Sequence, residues 1–134
     1  MNIKDVMLSL DNFPVMRESV ILKEALEEMS NKKIGIACVV NNDFKLVGII
    51  TDGDIRRKIL TIQKPLSSIF IDDCIDHAIV TPKTIDINDT LELAVDLMGA
   101  KKVWDLPVVE KGILKGLLHL HPLVKLLLSK KATT

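Results

Sequence analysis

Apolar side chains recur along this chain at two spacings, one typical of a helix face and one typical of a buried strand. After a short strand near Val15, four apolar residues follow at i, i+3, i+4 and i+7, the spacing of one helix face: Leu22, Ala25, Leu26 and Met29. The apolar runs 34–40 and 46–50 flank a turn signal at 41–43, so they predict two buried strands joined as a hairpin. A second helix is predicted from Ile55 onwards.

The second half of the chain repeats the first. A shift of 69 residues places Leu22 on Leu91, and after a one-residue deletion a shift of 68 places Gly48 on Gly116. A repeat of this length is short for an independent domain, so we expect the two to share one core. The chain is therefore predicted as α/β (α+β), with two units related by pseudo-two-fold symmetry, each a short sheet with two helices. The predicted units are residues 1–63 and 64–134.

Composition and charge exclude several classes of function. The 134 residues are 48% hydrophobic and 27% charged, with a formal net charge of zero, as in many globular proteins. Zero net charge gives no electrostatic reason to bind nucleic acid or an anionic membrane. Three phenylalanines and one tryptophan offer little surface for stacking single-stranded nucleic acid. No stretch resembles a membrane span or a signal peptide, so the predicted location is the cytoplasm.

Catalytic and metal-binding patterns are also missing from the sequence. Cys38 lies in an apolar run and reads as a small core residue, and it forms no CxxC motif with Cys74. His119 and His121 are two residues apart, so they could share a metal only with ligands from elsewhere, and we predict no metal site. No nucleophile and base can be paired, so no catalytic residue is predicted. Trp104 is interpreted as packing between the units rather than as a stacking platform.

The stretch from Gly48 to Arg57 carries the clearest polar chemistry. An apolar strand ends at Thr51, and Asp-Gly-Asp and two arginines follow where a helix begins. Free N–H groups and the positive dipole end at a helix N-terminus attract anions. Thr51 and Asp54 are spaced to face one ligand, such as a ribose, and the arginines can neutralise phosphates. The same pattern also fits a capped helix with exposed arginines and no ligand.

These motifs together resemble a tandem pair of cystathionine-β-synthase (CBS) domains, a Bateman module. The resemblance rests on the strand and Thr-x-x-Asp of 46–54 and on Leu-Pro-Val-Val at 106–109, and it covers residues 3–128. Further segments, at 5–7, 33–35 and 116–121, resemble the C-terminal CBS pair of arabinose 5-phosphate isomerases of lipopolysaccharide and capsule synthesis. The Thr-Asp-Gly-Asp-Ile-Arg-Arg string also occurs in CBS pairs fused to sugar nucleotidyltransferases.

The resemblance implies which residues would contact a ligand in the clefts between the two units. In the family, Thr-x-x-Asp holds ribose and phosphate, and the backbone at the start of the middle strand holds the base. The implied ligand-binding residues are Thr51, Asp52, Gly53, Asp54, Arg56 and Arg57, with Gly35, Ile36 and Ala37 at the base and His119 and His121 in the second unit. Pro122 stands where Asp54 would be, so the second unit cannot form an equal ribose clamp.

The implied function is that of a regulatory module without catalytic activity. It would bind an adenine or cytidine nucleotide, or a nucleotide-sugar, and it would require no cofactor. Its implied partners are a second copy in a homodimer and a sugar isomerase (SIS) catalytic domain in cis or in trans, the SIS domain itself being absent from this chain. Two alternatives remain open: a structural dimerisation module without a ligand, and the CBS pair of a sugar nucleotidyltransferase.

Overall fold

A computed structural model describes residues 2–120, which adopt a mixed α+β fold. Within that range there are five α-helices: α1 (Ile3–Val6), α2 (Leu22–Lys32), α3 (Asp52–Thr61), α4 (Leu66–Phe70) and α5 (Leu91–Lys101). Six strands form two three-stranded sheets: β1 (Val15–Arg17), β2 (Ile36–Val40), β3 (Leu46–Thr51), β4 (Ile85–Asp86), β5 (Asp105–Glu110) and β6 (Ile113–His119). Short 3-10 turns lie at Leu10–Asn12 and Cys74–His77. The predicted fold class is confirmed.

Contacts divide the chain into two compact units. The central unit is Leu10–Pro82, and the terminal unit combines Met1–Ser9 with Lys83–Thr134. Both sheets have the same topology, in which the first strand runs parallel to the second and the second runs antiparallel to the third. A helix, α2 or α5, connects the two parallel strands in each unit, as the repeat predicts.

The core of the central unit forms because α2 buries the apolar face that its spacing predicts. Leu22, Ala25 and Met29 pack with apolar residues of β2, β3 and α3. The helix ends at Lys32, and its C-cap, Lys33, takes a left-handed backbone conformation with φ of 55°. The predicted turn after β2 is confirmed, because Asn41 Oδ1 accepts hydrogen bonds of 3.0 Å from two backbone N–H groups of that turn. All five residues of β2 are buried.

Each sheet is extended at one edge by a segment that the repeat assigns to the other unit. Ile79 pairs with Ile49 beside β3, and Leu8 pairs with Leu117 beside β6. Ile3 is fully buried in the core of the terminal unit. Residues 2–9 therefore pack with the terminal unit, and residues 64–82 pack with the central unit, although the prediction divides the chain between residues 63 and 64. The boundaries of the two CBS units as units of sequence stay a prediction.

Several sequence features fall outside the described residues. They are His121, Pro122 and the leucine-rich tail 123–128. Within residues 2–120, no helix is long and apolar enough to cross a membrane.

Candidate functional site

Thr51, Asp54 and Arg57 form one continuous hydrogen-bonded network where β3 meets α3. Thr51 is the N-cap of α3, and its Oγ1 accepts a hydrogen bond of 3.2 Å from the Asp54 backbone N–H. The same hydroxyl donates to Asp54 Oδ2 at 2.5 Å. Arg57 Nη2 donates to Asp54 Oδ1 at 2.6 Å. The strand end and the helix N-terminus thus place a hydroxyl, a carboxylate and a guanidinium within two turns of chain.

This network caps the helix and still leaves capacity for other contacts. A Thr N-cap typically stabilises a helix by about 1 kcal/mol, so the local structure has its own reason to form. A carboxylate offers about four lone-pair directions, and two protein groups donate to Asp54 here. The Arg57 side chain is 61% exposed and that of Asp54 21% exposed. Both can therefore be reached from solvent.

Gly53 and Arg56 flank this network in different ways. A Cβ added to Gly53 would come within 3.3 Å of the Arg57 guanidinium nitrogens, so the absence of a side chain leaves room for the ion pair. Arg56 is exposed, and no ion pair involves it among residues 2–120. The structure thus joins Gly53 to the Thr51 network and leaves Arg56 apart from it.

Gly35 and Asp52 lie together at a neighbouring cavity. The Asp52 backbone N–H donates to the Gly35 carbonyl at 3.1 Å. A Cβ on Gly35 would come within 2.9 Å of Asp52 Oδ2, so the glycine lets the carboxylate approach the strand. A cavity of about 370 Å³ opens here. Its lining comes from the second half of α2, the segment between α2 and β2, and the start of α3: Leu26, Met29, Ser30, Lys33, Ile34, Gly35 and Asp52.

Ile36 and Ala37 contribute to packing through their side chains. Both are buried, and Ala37 belongs to the core of the central unit. Only their backbone is left to meet a base, as the family resemblance implies. That contact stays a prediction.

The terminal unit has a hydrogen-bonded histidine and aspartate where the central unit has its threonine. His119 lies across the sheet from Asp105, just as Thr51 lies across from Ile36. His119 Nδ1 is 2.6 Å from Asp105 Oδ1. Burial raises the pKa of the Asp105 carboxyl, and the hydrogen bond with His119 opposes that rise. Asp105 is missing from the sequence prediction, although the pairing register of β5 and β6 could have found it.

Trp104 is 70% exposed, beside this pair. The structure describes no packing role for its ring, and the interpretation of Trp104 as packing between units stays a prediction.

His77 is the second residue that sequence reasoning missed. It is the buried polar side chain of residues 2–120, at 6% exposure. Its Nε2 lies 2.8 Å from Asp72 Oδ2, and its Nδ1 lies 3.3 Å from Lys58 Nζ. Lys64 Nζ also reaches Asp72 Oδ2, at 3.2 Å. The hydrogen bond with His77, followed by that with Lys64, lowers the pKa of the Asp72 carboxyl.

Cys74 has the environment of an unreactive thiol. Its Sγ donates to the Arg17 carbonyl at 3.2 Å. Burial, followed by the negative charge of Asp73, raises the pKa of the thiol to about 11. The thiol therefore stays protonated near neutral pH, and Cys74 is no nucleophile.

Comparison with known proteins places the chain in a family. Residues 3–61 match the CBS domain family. The uncharacterized protein RP505 of Rickettsia prowazekii is 33% identical over 126 residues, covering 92% of this chain and 37% of that protein. The arabinose 5-phosphate isomerase KdsD of Escherichia coli strain K12 is 26% identical over 127 residues, covering 93% of this chain and 37% of KdsD. The chain thus spans little more than a third of the length of these relatives.

A solved structure extends the likeness to almost the whole fold. CBSX2, a protein of Arabidopsis thaliana, has been solved in complex with AMP. That structure is 28% identical, superposes with a TM-score of 0.83, and is matched over 97% of this chain and 98% of its own. Together with the repeated sheet topology, these matches identify residues 3–61 as a CBS domain and give the chain the fold of a CBS domain pair, with homology to part of the KdsD-type arabinose 5-phosphate isomerases.

Proposed function

We propose that this CBS pair is a regulatory module that binds a phosphorylated nucleoside at the N-terminus of α3. The observation that carries the proposal is the network of Thr51, Asp54 and Arg57, which gathers a hydroxyl, a carboxylate and a guanidinium at a helix start. The AMP complex of CBSX2 supports a nucleotide as the ligand class. An adenine nucleotide is the first candidate, and cytidine nucleotides and nucleotide-sugars are the others.

Each residue has a defined role in this proposal. Asp54 accepts hydrogen bonds from the ribose hydroxyls through the lone pairs that Thr51 and Arg57 leave available. The phosphate binds at the start of α3, where the helix dipole is favourable. The Gly53 N–H donates to it, and Thr51 donates to it once its hydroxyl turns from Asp54 Oδ2. Arg57 and Arg56 add positive charge, and Asp52 and the backbone of Gly35 border the site. His119, already engaged by Asp105, gives the terminal unit a different and weaker ligand preference.

The proposed output is regulation of a separate catalytic domain. Ligand binding would favour one conformation of the pair over another, and a bound catalytic domain would respond to that shift. The homology to KdsD supports a sugar-phosphate isomerase domain as this partner, in cis or in trans. Lipopolysaccharide synthesis in the cytoplasm is the setting that the family resemblance implies. We propose no catalytic role for this chain itself, because residues 2–120 hold no paired nucleophile and base.

A dimerisation module is the second candidate, and one observation favours it. Ile59 and Leu60 are exposed on α3, at 42% and 76%. A homodimer would cover such apolar surface. A dimer can also bind a nucleotide, so the two candidates do not exclude each other. Calorimetric titration decides whether the chain has a regulatory ligand in addition to a role in dimerisation.

The test is calorimetric titration with AMP, CMP and a nucleotide-sugar. We expect Asp54→Ala to weaken the binding of the preferred nucleotide by about ten- to a hundredfold, since a lost hydrogen bond to a charged group costs about 1.5–3 kcal/mol. Unchanged affinity in Asp54→Ala would limit the motif to capping the helix. The absence of binding by all three nucleotides would overturn the proposal.

Thr90 supplies a matched control for the capping role. Thr90 caps α5 in the terminal unit, and its side chain accepts a hydrogen bond of 3.1 Å from Leu93 N–H. Thr51→Ala and Thr90→Ala each remove one Thr N-cap, so both should lower stability by about 1 kcal/mol. Only Thr51→Ala should also weaken the binding of the nucleotide. Equal affinities in the two variants would show that Thr51 acts through the cap alone.

A further inference from the structure

His77 holds a polar junction between α3 and the segment that follows it. An ammonium can only donate a hydrogen bond, so Nδ1 of His77 accepts from Lys58 Nζ, 3.3 Å away. The ring proton is then on Nε2, which donates to Asp72 Oδ2 at 2.8 Å. One tautomer of the imidazole thus bridges Lys58 of α3 and Asp72. We call the segment 72–79, which begins with that aspartate, the connector.

The connector has further attachments to the same helix and sheet. Lys58 Nζ also donates to the Asp76 carbonyl at 3.1 Å. Ile79 exchanges two backbone hydrogen bonds with Ile49 of β3, of 3.0 and 2.8 Å. In sequence, the connector ends just before Lys83, where the terminal unit resumes. Residues 80–82 separate it from Lys83, so the connector lies close to the point where the chain leaves the central unit.

Lys58 places this junction one helical turn from the proposed nucleotide site. Asp54, Arg57 and Lys58 stand at i, i+3 and i+4, so they share one face of α3. Arg57 binds Asp54, whereas Lys58 binds His77 and the Asp76 carbonyl. A ligand that orders the first turn of α3 restrains the turn that carries Lys58, because the helix is continuous from Asp52 to Thr61.

We infer that the Lys58–His77–Asp72 junction is a latch that couples nucleotide binding at the start of α3 to the stability of the connector. This inference rests on the proposed nucleotide site. It assigns Lys58 and His77 as positioning residues that contact no ligand. Within the central unit, the effect of a bound nucleotide passes through this latch to the connector, which precedes Lys83 in sequence.

Hydrogen exchange of the full chain, with and without AMP, tests the latch. Amides of residues 51–58 report the site, and amides of residues 72–79 report the connector. In the wild-type chain we expect AMP to slow exchange in both segments, by at least about threefold in the connector. Lys58→Met keeps the length of the side chain and removes its donor. In this variant AMP should still slow exchange at 51–58, with affinity within about threefold of wild type, and should no longer affect 72–79.

Two further variants control for general loss of structure. Lys58→Arg retains a donor, and His77→Gln retains a donor for Asp72 and an acceptor for Lys58. Each should therefore keep at least part of the effect on the connector. If AMP slows exchange at 51–58 but not at 72–79 in the wild-type chain, or if Lys58→Met still transmits the effect, the latch is wrong and the nucleotide site stands. If AMP slows exchange in neither segment, CMP and the nucleotide-sugar are used in the same measurement. If none of the three slows exchange at 51–58, the nucleotide site itself is wrong, and the latch fails with it.

Discussion

Two aspartates, each close to a histidine, have carboxyl pKa values shifted in opposite directions. The Asp72–His77 distance is 2.8 Å and the Asp105–His119 distance is 2.6 Å. The pKa of Asp72 is lowered because His77 and Lys64 both donate to its carboxylate. The pKa of Asp105 is raised because burial outweighs its single imidazole partner. Folding therefore favours the charged form of Asp72 and disfavours the charged form of Asp105.

We expect Asn substitutions at these two aspartates to change stability in opposite directions. The depressed pKa of Asp72 contributes stability that is present at neutral pH and is lost as the pH falls through the folded-state value. Asp72→Asn should therefore lower the free energy of unfolding at pH 7, with the deficit vanishing in acid. The raised pKa of Asp105 lowers stability as the pH rises through it, so Asp105→Asn should be more stable than wild type at pH 7, and this gain should also vanish in acid.

Urea unfolding of both variants between pH 3 and 8 measures these differences, and each variant is the control for the other. The same sign of change at pH 7 in the two proteins would contradict the burial argument.

Among the elements, the edge pairings explain two glycines that the repeat aligns. A Cβ on Gly116 would lie 2.5 Å from Met7 Sδ and 2.7 Å from the Leu8 carbonyl oxygen. A Cβ on Gly48 would lie 2.9 Å from the Ala78 Cβ and 3.2 Å from the Ile79 carbonyl oxygen. Each glycine therefore lets a neighbouring segment approach its sheet.

Gly116→Ala should separate the N-terminal segment from β6 and lower stability by about 1–3 kcal/mol, as overpacking does. Gly99→Ala is the matched control, because no atom lies within 4 Å of a Cβ at that position in α5. Alanine has the higher helix propensity, so the control should gain up to about 1 kcal/mol. Chemical denaturation compares the two variants, and a Gly116→Ala protein as stable as wild type would refute the close packing of Met7 and Leu8.

At the scale of the whole molecule, the structure makes residues 10–82 a better folding unit than residues 1–63. The fragment 1–63 lacks Ile69 and Cys74, which are buried in the central core, and Ile79, which pairs with β3. Burying one large aliphatic side chain stabilises a protein by about 1.5–3 kcal/mol. We therefore expect the fragment 10–82 to unfold cooperatively in urea and the fragment 1–63 to be clearly less stable. Equal midpoints by circular dichroism would contradict the division into central and terminal units.

Local signals in the sequence predict most of the fold. The i, i+3, i+4 spacing predicts α2, the Asn-rich turn predicts the hairpin of β2 and β3, and the repeat predicts a second sheet of equal topology. Thr51 could be recognised as the end of a strand and the start of a helix, because strand and cap signals are both local. The pairing of Leu8 with Leu117 could not be predicted, since one isolated bridge joins segments more than a hundred residues apart.

The functional residues that escaped prediction depend on non-local contacts. His77 is a lone histidine in a connecting segment, and only the approach of Lys58 from α3 and of Asp72 makes it a buried junction. Asp105 and His119 meet only through the antiparallel register of their strands. The residues of the Thr51 network, by contrast, lie within seven positions of one another, so their side chains could be grouped from the sequence alone.

The pairing of Leu8 with Leu117 beside β6 also determines the order in which parts of the chain can fold during synthesis. Chains fold from the N-terminus as they leave the ribosome, at about 5–20 residues per second. The central unit is one continuous stretch, so its core can close once Pro82 has emerged. The segment 2–9 is made earlier, yet its partner strand β6 ends only at His119. Among the described residues, some of the earliest to be made are thus among the last to reach their native contacts, and during that interval Ile3 has no core in which to be buried.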